Sequence, residues 1–191
     1  MKIDLTKHLT LGAKRTLKAF RIAMFELLSE KEFDKITVND ICERSEYPRA
    51  TFYNYFDDKL DLLEYLWSHI AKNILNQLPN DEKNDDNFIK IFNLLLKFFH
   101  DNPALLANIN KNGGANSHLW HNLSGYLKHE ANQLLYNTCS NSKDQNVPVE
   151  LLARFYSDLI IGLLEWCLFE KTTIDEKTAD NYLINLLHNN F

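Results

Sequence analysis

Apolar residues return every three or four positions along almost the whole chain, and no stretch alternates apolar with polar over the length of a strand. That periodicity predicts an all-α protein. A first helix is expected from about Leu11 to Ser29, with Leu17, Phe20, Ile22, Met24, Phe25, Leu27 and Leu28 as a broad stripe. Two short helices should follow. Thr37 can cap the first, placing Val38, Ile41 and Cys42 on one face. Pro48 suits the first helical position of the second, which runs to Tyr55 and buries Phe52. Small side chains at Cys42 and Ser45 let these two helices cross closely. Phe33, Ile36 and Phe56 complete a compact core.

After Phe56, Asp57 and Asp58 suit the positive N-terminal turn of a further helix, predicted to continue through Leu66, Trp67 and Ile74 toward Leu78. The segment from Pro79 to Asn87 is polar apart from its proline and reads as a surface connector. Helical spacing resumes at about 87–101, 103–110, 116–139, 148–171 and 175–190. The breaks are Asp101-Asn102-Pro103, Asn112-Gly113-Gly114, the polar run Ser140 to Asn146, and Lys171-Thr172-Thr173. The expected architecture is therefore about nine helices: a helix-turn-helix domain over residues 1–57, then a larger helical domain over residues 58–191.

The helix from Val149 to Phe169 is apolar around nearly its full circumference. Such a helix must be covered on more than one side. The coverings expected are the chain's own helices on one side and a second copy on the other. A mid-helix glycine, Gly162, costs about 1 kcal/mol relative to alanine, which a close helix approach can offset. With the stripe of the last helix, this gives a candidate homodimer interface of Ile160, Gly162, Leu163, Cys167, Tyr182, Leu183 and Leu186.

The most restrictive pattern is Thr37-Val38-x-x-Ile41-Cys42-x-x-Ser45, followed by Arg49-Ala50-Thr51-Phe52-Tyr53-Asn54-Tyr55-Phe56 and then Lys59-Leu60-Asp61-Leu62-Leu63. It resembles the DNA-binding domain of the TetR family of one-component bacterial regulators, over about residues 12 to 66. The run Phe155 to Trp166 is similar, more loosely, to the C-terminal domain of a Gram-positive subgroup that includes dihydroxyacetone-kinase regulators. The resemblance implies a homodimer on a palindromic double-stranded DNA operator, with an unidentified small-molecule effector in the C-terminal domain. Its implied backbone contacts are Tyr53, Tyr55 and Lys59. Arg49, Thr51 and Asn54 can read base edges or phosphates, Ala50 permits close approach, and Thr37 and Asn39 can touch the backbone at the preceding helix. In the turn, where the family usually carries glycine, this chain has Glu46, and Tyr47 replaces a smaller apolar residue. A carboxylate there opposes phosphate and, if left-handed, strains the backbone by about 1–2 kcal/mol.

Charge sharpens this picture. The net charge is −5, yet residues 1–21 hold six Lys/Arg, Lys14 and Arg15 among them, against Asp4 alone. The basic end thus coincides with the helix-turn-helix half, as expected when one domain meets phosphates. A solvated basic tail is the plainer reading for Lys2 and Lys7. No apolar run approaches a membrane span and no signal-peptide core is present, so the expected location is the cytoplasm, with no membrane partner. Cys42, Cys139 and Cys167 lack CxxC spacing and are expected as thiols rather than disulfides or metal ligands. His118, His121 and His129 lack a fitting further ligand, so no metal or other cofactor is expected. No catalytic motif occurs, which argues against an enzyme.

A ligand pocket is expected among Trp67, Phe92, Leu95, Phe99, Trp120, Tyr126, Phe155 and Leu159, each of which could equally be core. Three functional readings stay open on these residues: a repressor released by its effector, a ligand-dependent activator, or an interaction protein on the same scaffold that has lost tight DNA recognition.

Overall fold

A computed structural model describes residues 9–78, 84–139, 147–170 and 174–188. Among them are nine α-helices and no strand. Helices α1 (Leu11–Glu30), α2 (Val38–Ser45) and α3 (Arg49–Tyr55) form the N-terminal unit, with a 3-10 turn at Phe33–Lys35 between the first two. Then come α4 (Lys59–Leu75), α5 (Asn84–Asp101), α6 (Pro103–Lys111), α7 (His118–Cys139), α8 (Val149–Glu165) and α9 (Glu176–His188). A short 3-10 turn at Gly114–Asn116 joins α6 to α7, and α8 continues into one π-helical turn, Trp166–Glu170.

The N-terminal unit is built on aromatic edges. Phe20 of α1 meets Phe52 and Phe56 edge-on, with ring centroids 5.4 and 6.2 Å apart. Both partners are fully buried, as is Ile41 of α2. Such pairs add to the area term of burial, so a helix as short as α3 persists by packing rather than by its own propensity.

Local chemistry fixes the boundaries. Thr37 and Asp40 form a reciprocal capping box at the start of α2, with Asp40 N–H on Thr37 Oγ1 at 3.1 Å and Thr37 N–H on Asp40 Oδ2 at 2.7 Å. Lys31 stands 2.9 Å from Asp40, and together with the Thr37 bonds it holds that carboxyl down at about 2. Asp58 caps α4, accepting from the N–H groups of Leu60 and Asp61.

Several boundaries differ from the sequence expectation, among them the following. Pro48 is the N-cap of α3, with extended ψ 151, so the helix starts one residue later than expected. Helix α4 stops at Leu75 instead of Leu78. The following N–H groups tighten into i→i−3 bonds there, and Pro79 disfavours an α conformation at Leu78. Helix α5 begins at Asn84, inside the stretch expected as connector. Lys2, Lys7, the rest of that connector, Ser140 to Asn146 and Lys171-Thr172-Thr173 lie outside the described residues.

The C-terminal helices pack α7 along α8 and α9 on α5, while α6 lies against α1 of the N-terminal unit. Two tryptophans act as polar ties inside this apolar body. Trp67 of α4 donates to Asn122 Oδ1 of α7 at 3.0 Å, and Trp120 of α7 donates to Glu165 Oε1 of α8 at 2.6 Å. No helix among the described residues is long and apolar enough to cross a membrane.

Candidate nucleic-acid interface

Helix α3 presents one buried and one polar face. Phe52 is anchored in the aromatic core, while Arg49, Ala50, Tyr53 and Asn54 are exposed and Thr51 and Tyr55 are half-buried. A hydrogen bond from Arg49 to Tyr53 reinforces the guanidinium's positive charge and orders the exposed face. Lys14, Arg15 and Lys18 are exposed on the first half of α1. Asn39 of α2 donates to Glu43 at 2.6 Å, and the Thr37 hydroxyl donates to Asp40 at 2.8 Å within the capping box. These two polar side chains are thus held in place by their own helix.

The α2–α3 unit is locked to α1 by charge as well as by packing. Arg44 meets Glu30 through both guanidinium nitrogens, at 2.8 and 2.6 Å, and Glu26 at 3.3 Å. Planar, bidentate pairing of this kind fixes orientation better than a single point contact.

The turn adopts the conformation that glycine would ordinarily supply. Glu46 has φ 60 and ψ 27, and it is the one non-glycine residue with positive φ among the described residues. Tyr47 N–H bonds Cys42 O at 3.1 Å and Glu46 N–H bonds Glu43 O at 3.3 Å, which is the Schellman pattern of a left-handed helix end. Tyr47 then packs on Phe20, 5.5 Å between centroids, so the larger residue has a place in the core. Replacing Glu46 with glycine should raise stability by about 1 kcal/mol in urea unfolding, since it removes the left-handed strain at some cost in chain entropy. An unchanged or lower midpoint would show that the turn carries no such strain.

Lys59 is placed differently from what the resemblance implies. Its ammonium donates to the carbonyls of Phe33, Asp34 and Ile36 at 2.9, 3.1 and 2.8 Å, and lies 4.6 Å above the Phe33 ring. All three N–H donors are thereby directed at the turn before α2. The observed role is a tie between the start of α4 and that turn, in place of an ammonium held out toward phosphate. Lys59→Met keeps the ring contact and removes the donors, and should cost about 2–3 kcal/mol of stability by thermal or urea unfolding. A loss below about 0.5 kcal/mol would mean that water replaces the ammonium freely.

Comparison with known proteins accords with this geometry. The profile of the bacterial regulatory proteins of the tetR family matches residues 23–66, which span the second half of α1, both helices of the helix-turn-helix and the start of α4. Residues 23–66 thus carry the tetR-family DNA-binding pattern. A curated relative from Bacillus subtilis, the uncharacterized HTH-type transcriptional regulator YvdT, is 28% identical over 74 residues, which are 39% of this chain and 38% of the relative. The HTH-type dhaKLM operon transcriptional activator DhaS of Lactococcus lactis is 29% identical over 94 residues, 49% of this chain and 48% of that protein. The chain thus spans less than half the length of these curated relatives in the matched segments.

Solved structures share the fold over much more of the chain. A TetR transcriptional regulator from Streptococcus agalactiae superposes with a TM-score of 0.64 at 21% identity, covering 92% of this chain and 95% of that one. The dihydroxyacetone kinase operon activator DhaS superposes with a TM-score of 0.59 at 19% identity, covering 90% and 93%.

The helices after α3 differ from two parts of the sequence reading. Of the eight residues expected to line a pocket, Trp67, Phe92, Phe99 and Trp120 are fully buried core. Phe155 is 56% exposed and faces outward. Tyr126 and Leu159 are half-buried, and burial with Glu130 and then Glu64 nearby pushes the Tyr126 phenol up. Leu95 is the one of the eight that lines a described recess, which lies between α4, α5, α7 and α8 and holds only about 30 Å³. Large aromatic rings simply fill the space they were expected to surround.

The expected dimer interface divides in the same way. Ile160 and Leu183 are 1% and 0% exposed and belong to the chain's own core, with Cys167 also buried there. Burial pushes the Cys167 thiol up, as it does for Cys42. Gly162, Tyr182 and half-buried Leu186 remain on the outer face, and Leu163 lines a surface recess with Trp166 and Tyr182. Sequence reasoning missed the outward set Leu151 and Phe155, 57% and 56% exposed, which falls at four-residue spacing in line with Leu159. A Cβ added at Gly162 meets nothing within 4 Å in this chain, so its smallness serves no packing inside the protomer.

Proposed function

We propose that this chain is a homodimeric transcriptional regulator of the TetR type, acting in the cytoplasm by binding a palindromic operator. The observation that carries this reading is the polar face of α3, with Arg49, Tyr53 and Asn54 exposed on a helix that Phe52 and Phe56 anchor in a rigid aromatic core. Helix α3 enters the major groove. Arg49, Thr51 and Asn54 read base edges, while Tyr53, Tyr55 and the basic first half of α1, Lys14 and Arg15, position the domain on phosphates. Thr37, Asn39 and Ala50 permit the close approach of α2 and α3 to the duplex.

Two copies pair through the outward apolar face of α8 and α9. Leu151, Phe155, Gly162 and Trp166 share one face of α8 by helical spacing, Tyr182 of α9 packs on Trp166, and a second copy of the same face would cover them across a two-fold axis. Pairing sets the two α3 helices one helical turn of DNA apart, about 34–36 Å. A small-molecule effector that parts α4, α5, α7 and α8 at the recess beside Leu95 would move α4, whose first residue Lys59 is tied to the helix-turn-helix. The proposed outcome is release of the operator, and binding rather than catalysis is the proposed mode of action.

Activation is the second reading, favoured by the relative DhaS, which is named as an activator. Selection of genomic fragments by the purified protein tests the first step and the two readings together. A repressor's bound site overlaps the promoter of its own or a neighbouring gene, whereas an activator's lies upstream of it. Recovery of no enriched sequence would overturn the operator-binding assignment.

A further inference from the structure

A second cavity lies where the two domains meet, away from the recess beside Leu95. It measures about 180 Å³, below the ~300 Å³ of ordinary drug-sized sites. Its walls come from three places: the turn after α1, helix α6, and the start of α7. We propose that this cleft binds a small neutral polyhydroxylated molecule, and that occupancy acts on the helix-turn-helix through the Phe33–Lys35 turn.

The lining chemistry selects the ligand class. Asn108 and Asn112 offer their carboxamide oxygens, their N–H donors being engaged within the protein, while Asn116 offers an acceptor and donors and Ser117 adds a hydroxyl. No lysine or arginine lines the cavity, while Glu32 and Asp34 do, so an anion is disfavoured. Nor do those carboxylates call for a cation. Glu32 pairs with Lys35 at 2.9 Å, and Asp34 is bonded to His118 Nδ1 at 2.8 Å. What remains is two carboxamide oxygens that accept, with Asn116 and Ser117 able both to donate and to accept, around the buried side chains of Ile109 and Leu119. Vicinal hydroxyls on a short carbon chain match that set, each hydroxyl donating once and accepting twice.

The surroundings connect the cleft to the DNA-binding helices. The Asn108 carboxamide of α6 donates to the carbonyls of Leu28 and Lys31 at 2.7 and 2.9 Å, closing the C-terminus of α1 from the other domain. Asn112 holds Asn108 in place, donating to its Oδ1 at 2.9 Å and its backbone carbonyl at 2.8 Å. Lys31 in turn pairs with Asp40 of the α2 capping box. On the opposite wall, the carbonyls of Phe33, Asp34 and Ile36 are held by Lys59. A ligand bonded to Asn112 and Asp34 therefore bears on the cap of α2 and the start of α4 together.

Titration calorimetry of the full chain with glycerol, erythritol and xylitol as probes tests the site without DNA. At least one should bind saturably, with glycerol 3-phosphate about tenfold or more weaker. Asn116→Leu narrows the mouth at an exposed position, so it should leave the unfolding midpoint unchanged and weaken binding about tenfold or more. Amide exchange over residues 33–40 should slow when the probe is bound. No saturable binding by any of the three, preference for the phosphate, or binding indifferent to Asn116→Leu would overturn the site. Binding with unchanged exchange over 33–40 would overturn the coupling. These outcomes do not depend on operator recognition, so failure here leaves the proposed DNA-binding role standing.

Discussion

An Arg49→Ala, Asn54→Ala double variant should lose operator retention by roughly a thousandfold or more, with no comparable loss of stability. Each good base contact is worth about 1–3 kcal/mol, and a homodimer loses two contacts on each of two heads. The lower bound of that product, about 4 kcal/mol, already corresponds to roughly three decades in affinity. Both side chains are exposed, and neither belongs to the aromatic core that holds α3. Helix content and unfolding midpoint should therefore stay within about 0.5 kcal/mol of the parent. Gel-shift titration on a selected fragment reads the first effect and urea unfolding the second. Retention within threefold of the parent would remove these residues from base reading.

The second large effect concerns pairing. Phe155→Asp should convert the proposed dimer to monomer at micromolar concentration, because the proposed two-fold axis would bring two unpaired carboxylates into an apolar contact. Each buried, uncompensated charge costs several kcal/mol, so dissociation should strengthen by roughly four decades or more. In the isolated protomer Phe155 is 56% exposed, and its ring meets Tyr156 at 5.5 Å without entering the core, so the fold should survive. Sedimentation velocity decides the point. A variant that remains dimeric would place the interface elsewhere and leave the outward stripe of α8 unexplained. Operator binding should fall with the dimer, since one head alone meets only one half-site.

The fold was readable because helical periodicity is strong and its punctuation is chemical. Thr37 and Asp58 cap where their hydroxyl and carboxylate suggested, and Phe52 and Phe56 are core, as the spacing on a short helix requires. Glu46 was legible as a point of strain because the turn chemistry demands positive φ whatever the residue. What escaped were contacts between residues far apart in sequence. Lys59 reads as a basic residue beside a DNA-binding helix, yet its donors close on a turn more than twenty residues earlier. Asn108 reaches the end of α1 across 80 positions, and His118 reaches Asp34 across 84. No local pattern encodes such pairings.

The aromatic residues of the later helices were left open between pocket and core for a different reason. Pocket walls and core share one composition, so Trp67, Phe99 and Trp120 could not be sorted by type. Their indole and ring contacts, such as Trp120 to Phe169 at 4.7 Å, show them filling space between helices. For α8, the all-round apolar pattern did not say which side the chain's own helices cover. Ile160 faces inward and Phe155 outward, a distinction set by the rotation of α8 against α7.

Glu46 also links stability to recognition. The same carboxylate that occupies a strained turn stands beside the helix proposed to approach phosphate, so glycine there should improve both folding and binding. Tight binding by the parent protein, despite this residue, would require the basic face to outweigh it.

The central claim is specific recognition of DNA by a paired reading head, and a salt titration of operator binding tests it most directly. Neutralising phosphates releases counterions, so affinity for a selected palindromic fragment should fall by about 10³ or more between roughly 50 and 200 mM salt, while still exceeding affinity for scrambled DNA at each concentration. Absence of measurable binding at the lowest salt, or equal affinity for scrambled and palindromic fragments throughout, would contradict the account.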